Sequence, residues 1–150
     1  RHRFTSPSAT LKELFSRIVF NIAVGNTDDH ARNHAAFWHP HEPVSGELTL
    51  TPAYDIAPQA RSGGEAKQAM AIGPDGFRFS QLAGAIQRAD TYLLDRNEAR
   101  AIVERQLAVI RSEWGEAADS ARLTEAERSL LWGRQILNPY ALEGFWRSAS

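Results

Sequence analysis

The feature that most constrains the fold is a run of apolar residues at helical spacing that stops at a glycine. The run follows the segment SPSAT, whose Ser-Pro-Ser start suits a helix cap and first turn. Its apolar positions recur three or four residues apart, and Gly25-Asn26 supplies a stop signal. These positions are Leu11, Leu14, Phe15, Ile18, Val19 and Ile22. The pattern predicts a helix, buried on one face, that delivers the chain into a polar loop.

Downstream of that loop the pattern changes to short β-prone runs and then back to helix. The runs AAFWHP and ELTLTPAY, separated by HEPVSG, predict a hairpin. RSGGEAK is typical of a loop, and QAMAIG is predicted to be a strand before the turn PDG. From Ser80 onward the pattern is helical, and its three helical segments are SQLAGAIQRA with a serine cap, DRNEARAIVERQLAVIRSEWGEAA with a solvated charged face, and LTEAERSLLWGRQI with a Thr124–Glu127 capping box. The predicted fold class is mainly α with a small β-hairpin insert.

Composition bounds the function classes. The 150 residues are 43% hydrophobic, which suits one domain over residues 1–150. A net charge of -1, from 17 basic and 18 acidic residues, gives no field that would recruit nucleic acid directly or an anionic membrane. No run approaches the ~20 apolar residues that span a bilayer, and the first ten residues lack the apolar core of a signal peptide. The absence of cysteine excludes disulfides and thiolate metal sites, and it fits a cytoplasmic location.

The stretch GNTDDHARNHAAFW concentrates charged and hydrogen-bonding side chains directly after the predicted helix. Asp28 and Asn33 are five positions apart, and Asp55 follows in TPAYDIAP, at the end of the second β-run. Protein kinases use this order: a catalytic Asp, an Asn five residues later that holds magnesium, and an Asp beyond the next strands that holds a second ion. A carboxylate orients the attacking hydroxyl and takes its proton, and oxygen ligands suit Mg²⁺. The spacing therefore predicts that Asp28, Asn33 and Asp55 face one cleft and support phosphoryl transfer.

The segments GNTDDHARNHAAF and LTPAYDIAP together resemble the HipA-type toxin kinases, atypical bacterial serine/threonine kinases paired with a DNA-binding antitoxin. The resemblance implies a protein-kinase-like C-lobe in which Asp28 is the catalytic base and His30 stands beside it in the catalytic group. It further implies that Arg32, Asn33 and Asp55 bind the cofactor, with Asn33 and Asp55 as the magnesium ligands.

The same resemblance, which is specific over residues 20 to 58, implies cofactors and partners. ATP and Mg²⁺ are the expected cofactors, a hydroxyl of a protein substrate is the acceptor, and a HipB-like antitoxin is the partner in a type II toxin–antitoxin system. A kinase also needs a glycine-rich loop and a lysine from an N-lobe. RSGGEAK contains Lys67 but follows Asp55, so it cannot be that loop. We therefore expect a C-terminal kinase-lobe fragment, inactive alone, whose N-lobe has been truncated or comes from a partner.

Two other functions stay open on the residues alone. Asp28, Asp29, His30 and His34 are a possible ligand set for a metal-dependent hydrolase. Alternatively, the chain is a non-catalytic helical module that binds a partner. Transition-metal uptake would favour the hydrolase, whereas weak, nucleotide-dependent Mg²⁺ binding would favour the kinase.

Several conspicuous side chains also have structural interpretations. Asp29 is expected to be a structural or solvent-facing neighbour of Asp28 rather than a second base. His30 is expected to brace the loop by hydrogen bonding rather than to transfer protons. Phe37 and Tyr54 are expected to pack in the core beside the site. The tryptophans of the helical runs are assigned to the core in the same way, namely Trp114, Trp132 and Trp146.

Overall fold

The computed structural model describes residues 3–41, 45–61 and 64–146. Its helices and strands, in chain order, are α1 (Pro7–Val24), β1 (Ala36–His41), β2 (Ser45–Leu50), α2 (Leu82–Ile86), α3 (Arg96–Ser120), α4 (Glu125–Leu131) and α5 (Pro139–Leu142), with 3₁₀ turns at Ala31–Asn33 and Ala89–Tyr92. The mainly helical class with a β-hairpin insert is therefore confirmed. Among the described helices, none combines the length and the apolar character that crossing a membrane requires.

Helix α1 ends inside the protein, at the glycine that the sequence predicts as its stop. Pro7 at the first helical positions presets the first turn, although the Ser6 hydroxyl makes no capping hydrogen bond. Gly25 adopts a left-handed φ of 76° and donates its N–H to the carbonyls of Asn21 and Ile22. Because the last turns of α1 are buried on nearly all sides, the chain leaves this helix within the core rather than at the surface.

The core forms where α1 meets α2, α3 and the 3₁₀ turn at Ala89–Tyr92. The Phe15 ring lies 5.4 Å from the Tyr92 ring, centroid to centroid. The largest fully buried apolar side chains come from α1, α2, α3 and the C-terminal segment: Phe15, Phe145, Ile22, Leu82, Leu107, Val19 and Val103. Burial of such side chains is the main favourable term in folding.

Capping boxes start helices α3 and α4. The Thr124 hydroxyl accepts from the Glu127 N–H, and the Glu127 carboxylate accepts from the Thr124 N–H, so the predicted box of α4 is confirmed. α3 begins with the same arrangement between Asp95 and Glu98. These reciprocal bonds satisfy backbone donors that the first helical turn leaves unpaired.

The hairpin pairs β1 with β2 in antiparallel register, with Trp38 opposite Leu48 and Ala36 opposite Leu50. The predicted strands are confirmed, whereas part of the predicted turn, residues 42–44, lies outside the described residues. The second strand ends at Leu50, so the placement of Asp55 at its end is wrong. Proline at position 52 cannot donate to a ladder, and the carbonyl of Thr51 instead accepts from the buried Arg17 guanidinium at 2.6 Å.

The predictions for residues 68–89 are corrected in two places. QAMAIG is not a strand, because its backbone donors go to different partners: Gln68 to Arg78, Ala69 to Thr27 and Ile72 to Phe77. A ladder needs one continuous partner strand. Ser80 is fully buried and does not cap the following helix, which is only five residues long.

The core assignment of four aromatic residues is wrong. Phe37 and Tyr54 are 55% and 43% exposed, because they lie on the hairpin and on the segment after it, outside the helical core. Trp132 and Trp146 are also exposed. The Trp132 ring stacks on Trp114 with 5.3 Å between ring centroids, and the Trp146 ring lies edge-on to Phe145 at 4.7 Å, but neither contact buries the tryptophan.

Gly25→Ala is expected to destabilise the protein more than the matched change Gly76→Ala. Both glycines have a left-handed φ, 76° and 77°, so alanine costs about 1 kcal/mol of backbone strain at each. A Cβ at Gly25 would lie 2.6 Å from the Gln135 carbonyl oxygen, whereas one at Gly76 meets nothing within 4 Å. We expect Gly25→Ala to lose about 2 kcal/mol more in urea unfolding. Equal losses would contradict a steric constraint at Gly25.

Candidate functional site

The polar stretch after α1 folds into a short loop that brings Asp28 and Asn33 together. The 3₁₀ turn closes through bonds from the Asn33 N–H to the His30 carbonyl and from the His34 N–H to the Ala31 carbonyl. The Asn33 side chain is buried, and its Nδ2 donates to the backbone carbonyl of Asp28 at 3.4 Å. The five-residue spacing thus places an amide side chain directly behind the Asp28 backbone.

The Asp28 carboxylate faces solvent and pairs with a histidine of the same loop. His30 Nε2 lies 2.8 Å from Asp28 Oδ1, and the Asp28 side chain is 59% exposed. One carboxylate oxygen is therefore engaged while the group as a whole stays accessible. The expected bracing contact of His30 is present in this geometry. Arg32, the third predicted residue of the loop, is exposed.

The neighbouring aspartate has the opposite environment. Asp29 is 4% exposed, and its Oδ1 lies 2.7 Å from Nε2 of His34, whose side chain is 13% exposed. The structural interpretation of Asp29 therefore fits its burial, and the solvent-facing alternative does not. Buried carboxylates persist only where hydrogen bonds or opposite charges offset the lost hydration.

Asp55 is held against this loop through its backbone and its neighbour. Asn26 Nδ2 donates to the Asp55 carbonyl at 3.3 Å, and the Tyr54 hydroxyl donates to the Arg32 carbonyl at 2.6 Å. Asp55 itself has a left-handed φ of 56° and an exposed side chain. Aspartate adopts this conformation more readily than most residues. The structure thus brings the segment of Asp55 to the loop that carries Asp28 and Asn33.

Asn26 is a residue that the sequence reasoning missed as a part of the site. It is 2% exposed, and its Nδ2 also donates to Asn21 Oδ1 at 3.1 Å, while its carbonyl accepts from Gln68 Nε2 at 3.2 Å. The sequence pattern gives Asn26 only a role in ending α1, because it follows Gly25 directly. Its partners at positions 55 and 68 are too distant along the chain for local patterns to indicate.

The negative charge of Asp29 in this loop affects the pKa of a buried tyrosine, Tyr92. The pKa of Tyr92 is raised to about 12, first by burial and then by the negative charge of Asp29. Its hydroxyl donates to the Ile72 carbonyl at 2.6 Å, so the neutral form is the one that the fold stabilises.

The ligand set of the hydrolase alternative is split into two separate pairs. Asp28 contacts His30, and Asp29 contacts His34. Within residues 3–41, 45–61 and 64–146, no group of three or more histidine, aspartate or glutamate side chains is arranged to hold a metal ion. A further histidine, His39 on the hairpin, contacts the Thr49 hydroxyl at 2.9 Å. The geometry therefore gives no support to a transition-metal site of this kind.

Comparison with protein families gives one result. The family model of the HipA-like C-terminal domain matches residues 1–114, which include the whole loop, the hairpin and Asp55. Neither a curated protein nor a solved structure matches the chain.

Asn26→Ala is expected to lower the free energy of unfolding by about 2 kcal/mol, because it leaves the Asn21 amide oxygen and the Asp55 carbonyl without this donor. The control is Asn97→Ala, at an exposed position of α3, which should change stability by less than about 0.5 kcal/mol. Urea unfolding of both variants measures the difference. Similar values would show that the Asn26 bonds do not hold the Asp55 segment.

Stability is expected to fall between about pH 10 and pH 12 through Tyr92. Because the folded-state pKa is raised, the unfolded chain releases this proton first, and the contribution present below pH ~10 is lost as the pH rises to about 12. Tyr92→Phe should make this fall shallower in urea unfolding across the window. Tyr54→Phe, at an exposed tyrosine, should keep the full fall. A Tyr92→Phe slope equal to that of the unaltered protein would contradict the assignment.

Proposed function

The chain belongs to the HipA-like C-terminal domain family, and from that premise we propose that it is the catalytic lobe of a serine/threonine kinase toxin. Proteins of the HipA family are generally kinase toxins of this kind. The observation that carries the proposal is the meeting of two segments, the loop that carries Asp28 and Asn33 and the segment that carries Asp55. Asn33 bonds the Asp28 carbonyl, and Asn26 and Tyr54 tether the Asp55 segment to the same loop.

In the proposed reaction, Asp28 orients the serine or threonine hydroxyl of a protein substrate and accepts its proton. Its exposed carboxylate is accessible to such a hydroxyl, and the contact with His30 involves only Oδ1. A positioned general base of this type contributes about 10² to 10⁴-fold to the rate. His30 restrains the carboxylate, so that Oδ2 is the oxygen that meets the substrate.

Asn33 and Asp55 fit the role of magnesium ligands. Asn33 uses Nδ2 for the Asp28 carbonyl, so its amide oxygen is the atom left for a cation. The Asp55 carboxylate is exposed and forms no ion pair among the described residues. Magnesium takes one or two protein carboxylates and fills its remaining positions with water and phosphate oxygens. When bound with ATP, it would neutralise charge on the transferred phosphoryl group.

ATP itself would need a second lobe. We propose that an N-lobe supplies the glycine-rich loop and the phosphate-binding lysine, and that the exposed Arg32 contacts the phosphates from this side. A HipB-like DNA-binding antitoxin is the proposed protein partner, and the cytoplasm is the proposed location, since both the nucleotide and the protein substrate are found there.

Asp28→Asn in the two-lobed kinase is expected to lower phosphoryl transfer at least 100-fold, because the amide cannot take the hydroxyl proton. The control is Glu116→Gln, at an exposed carboxylate of α3, which should keep full activity. Transfer of labelled phosphate from ATP to protein hydroxyls measures both. Full activity in Asp28→Asn would contradict the role of Asp28 as the catalytic base. It would favour the alternative that the chain is a non-catalytic binding module.

A further inference from the structure

We propose that Asp29 is a positioning residue that holds both halves of the candidate site. It acts through His34 on one side and through a bound water molecule and Gln68 on the other. This inference rests on the proposed kinase function. It assigns a role to a residue that the order Asp, Asn, Asp does not include.

The first arm of this arrangement closes the loop. Asp29 follows Asp28 directly, and His34 follows Asn33 directly, so the 2.7 Å contact between Asp29 and His34 joins the two ends of the segment. Next to this contact, Asn33 Nδ2 donates to the Asp28 carbonyl. A change in the separation of Asp29 and His34 would therefore move the backbone of both residues that are proposed to act in the reaction.

The hydrogen-bond partners of His34 indicate which of its ring nitrogens donates to Asp29. His34 Nδ1 is buried and has no partner among the described residues. If the hydrogen were on Nδ1, that N–H would be buried without an acceptor, and the bare Nε2 would face a carboxylate oxygen with no hydrogen between the two acceptors. The ring is therefore expected to carry its hydrogen on Nε2 and to donate it to Asp29 Oδ1.

The second arm passes through a small cavity on the other side of Asp29. This cavity has a volume of about 10 Å³ and is lined by Ile18, Asp29, Gln68, Met70, Ala71 and Ile72. Gln68 is 4% exposed, and its Oε1 finds no donor among the described residues. The cavity is thus lined by two residues that carry acceptor oxygens, the carboxylate of Asp29 and the amide of Gln68.

A single water molecule fits this cavity in size and in chemistry. A cavity of roughly 10–15 Å³ is enough for one water molecule, provided that polar partners are present. A water can donate one hydrogen to Asp29 and the other to Gln68 Oε1, which satisfies both acceptors. A metal ion is not favoured, because no group of three acidic or histidine ligands is assembled among the described residues.

Gln68 carries the connection on to Asp55. Its Nε2 donates to the Asn26 carbonyl at 3.2 Å, and Asn26 Nδ2 donates to the Asp55 carbonyl at 3.3 Å. A continuous series of hydrogen bonds would therefore run from His34 through Asp29, the water, Gln68 and Asn26 to Asp55. Since Asp29 is 4% exposed, it cannot touch a protein substrate and must act through these neighbours.

The kinetic test compares Asp29→Asn with Asp95→Asn in the two-lobed kinase. Asp95 also has a satisfied carboxylate, because it caps α3 and accepts from the N–H groups of Asn97 and Glu98, so its substitution is a structural control. Asp29→Asn is expected to lower kcat about tenfold, to leave the protein-substrate KM unchanged, and to raise the Mg²⁺ concentration needed for half-maximal activity. Asp95→Asn is expected to leave kcat and the Mg²⁺ dependence unchanged and to change the Tm little, since asparagine is also a good N-cap residue. An unchanged kcat and Mg²⁺ dependence in Asp29→Asn would overturn the positioning role.

A spectroscopic test on the 150-residue chain does not depend on activity. In ¹⁵N-histidine-labelled protein, the His34 ring N–H is expected to be visible and slow to exchange, and to be lost in Asp29→Ala. His39→Gln, at an exposed histidine, should leave this signal in place. A freely exchanging His34 ring in the unaltered protein would overturn the pairing.

The proposed link from Asp29 through a water molecule to Gln68 is tested separately. A high-resolution crystal structure is expected to place one water within hydrogen-bond distance of Asp29 and Gln68 Oε1, and Gln68→Met is expected to raise the Mg²⁺ requirement in the direction seen for Asp29→Asn. A dry cavity, or an unchanged Mg²⁺ requirement in Gln68→Met, would overturn this arm. If the unaltered kinase transfers no phosphate at all, the proposed function fails, while the ring signal and the water still test the hydrogen bonds.

Discussion

The close approach of Gly25 to the Gln135 carbonyl is the constraint on which the rest of the site depends. Only a residue without a Cβ can turn left-handed in that space, and the turn ends α1 inside the core. The Gly25 carbonyl then accepts from the Gln59 N–H, and Asn26 follows at once with its bond to Asp55. A helix that ended at the surface would release the loop into solvent. Here the loop starts from a fixed, buried position, as a site on a rigid element requires.

The side chains buried around the end of α1 include several polar groups, whereas an ordinary protein core is mostly apolar. Asn26, Asp29, Asn33 and Gln68 are all buried, and each is held by side-chain hydrogen bonds rather than by apolar packing. Apolar residues of similar volume would remove the desolvation cost of these groups, so stability alone does not account for them. Buried polar networks that are well satisfied fix one arrangement of the chain. The concentration of these groups in one place favours a role in holding geometry, since sites commonly depart from the rules that the remaining fold obeys.

Local features of the chain were predictable from sequence, and contacts between distant segments were not. Helix α1, the hairpin and the Thr124–Glu127 box depend on residues within a few positions of one another, so their patterns were sufficient. The tethers of Asp55 join residues 29 and 22 positions apart, and no local pattern encodes them. For the same reason the exposure of Trp146 was missed, because an aromatic ring at helical spacing does not reveal whether another element covers it.

The two adjacent aspartates show most clearly where sequence reasoning stops. Asp28 and Asp29 are chemically identical neighbours, and each contacts a histidine of the same loop at 2.8 Å or 2.7 Å. The backbone sends one carboxylate to solvent and the other into the core, so the first can meet a substrate and the second cannot. Environment rather than residue type therefore distinguishes the two carboxylates, and like groups placed in different environments can take different chemical roles. The spacing to Asn33 selected Asp28 as the candidate base, whereas the burial that distinguishes Asp29 arises from α1 and from residues 68–72, which pack around it only in the folded chain.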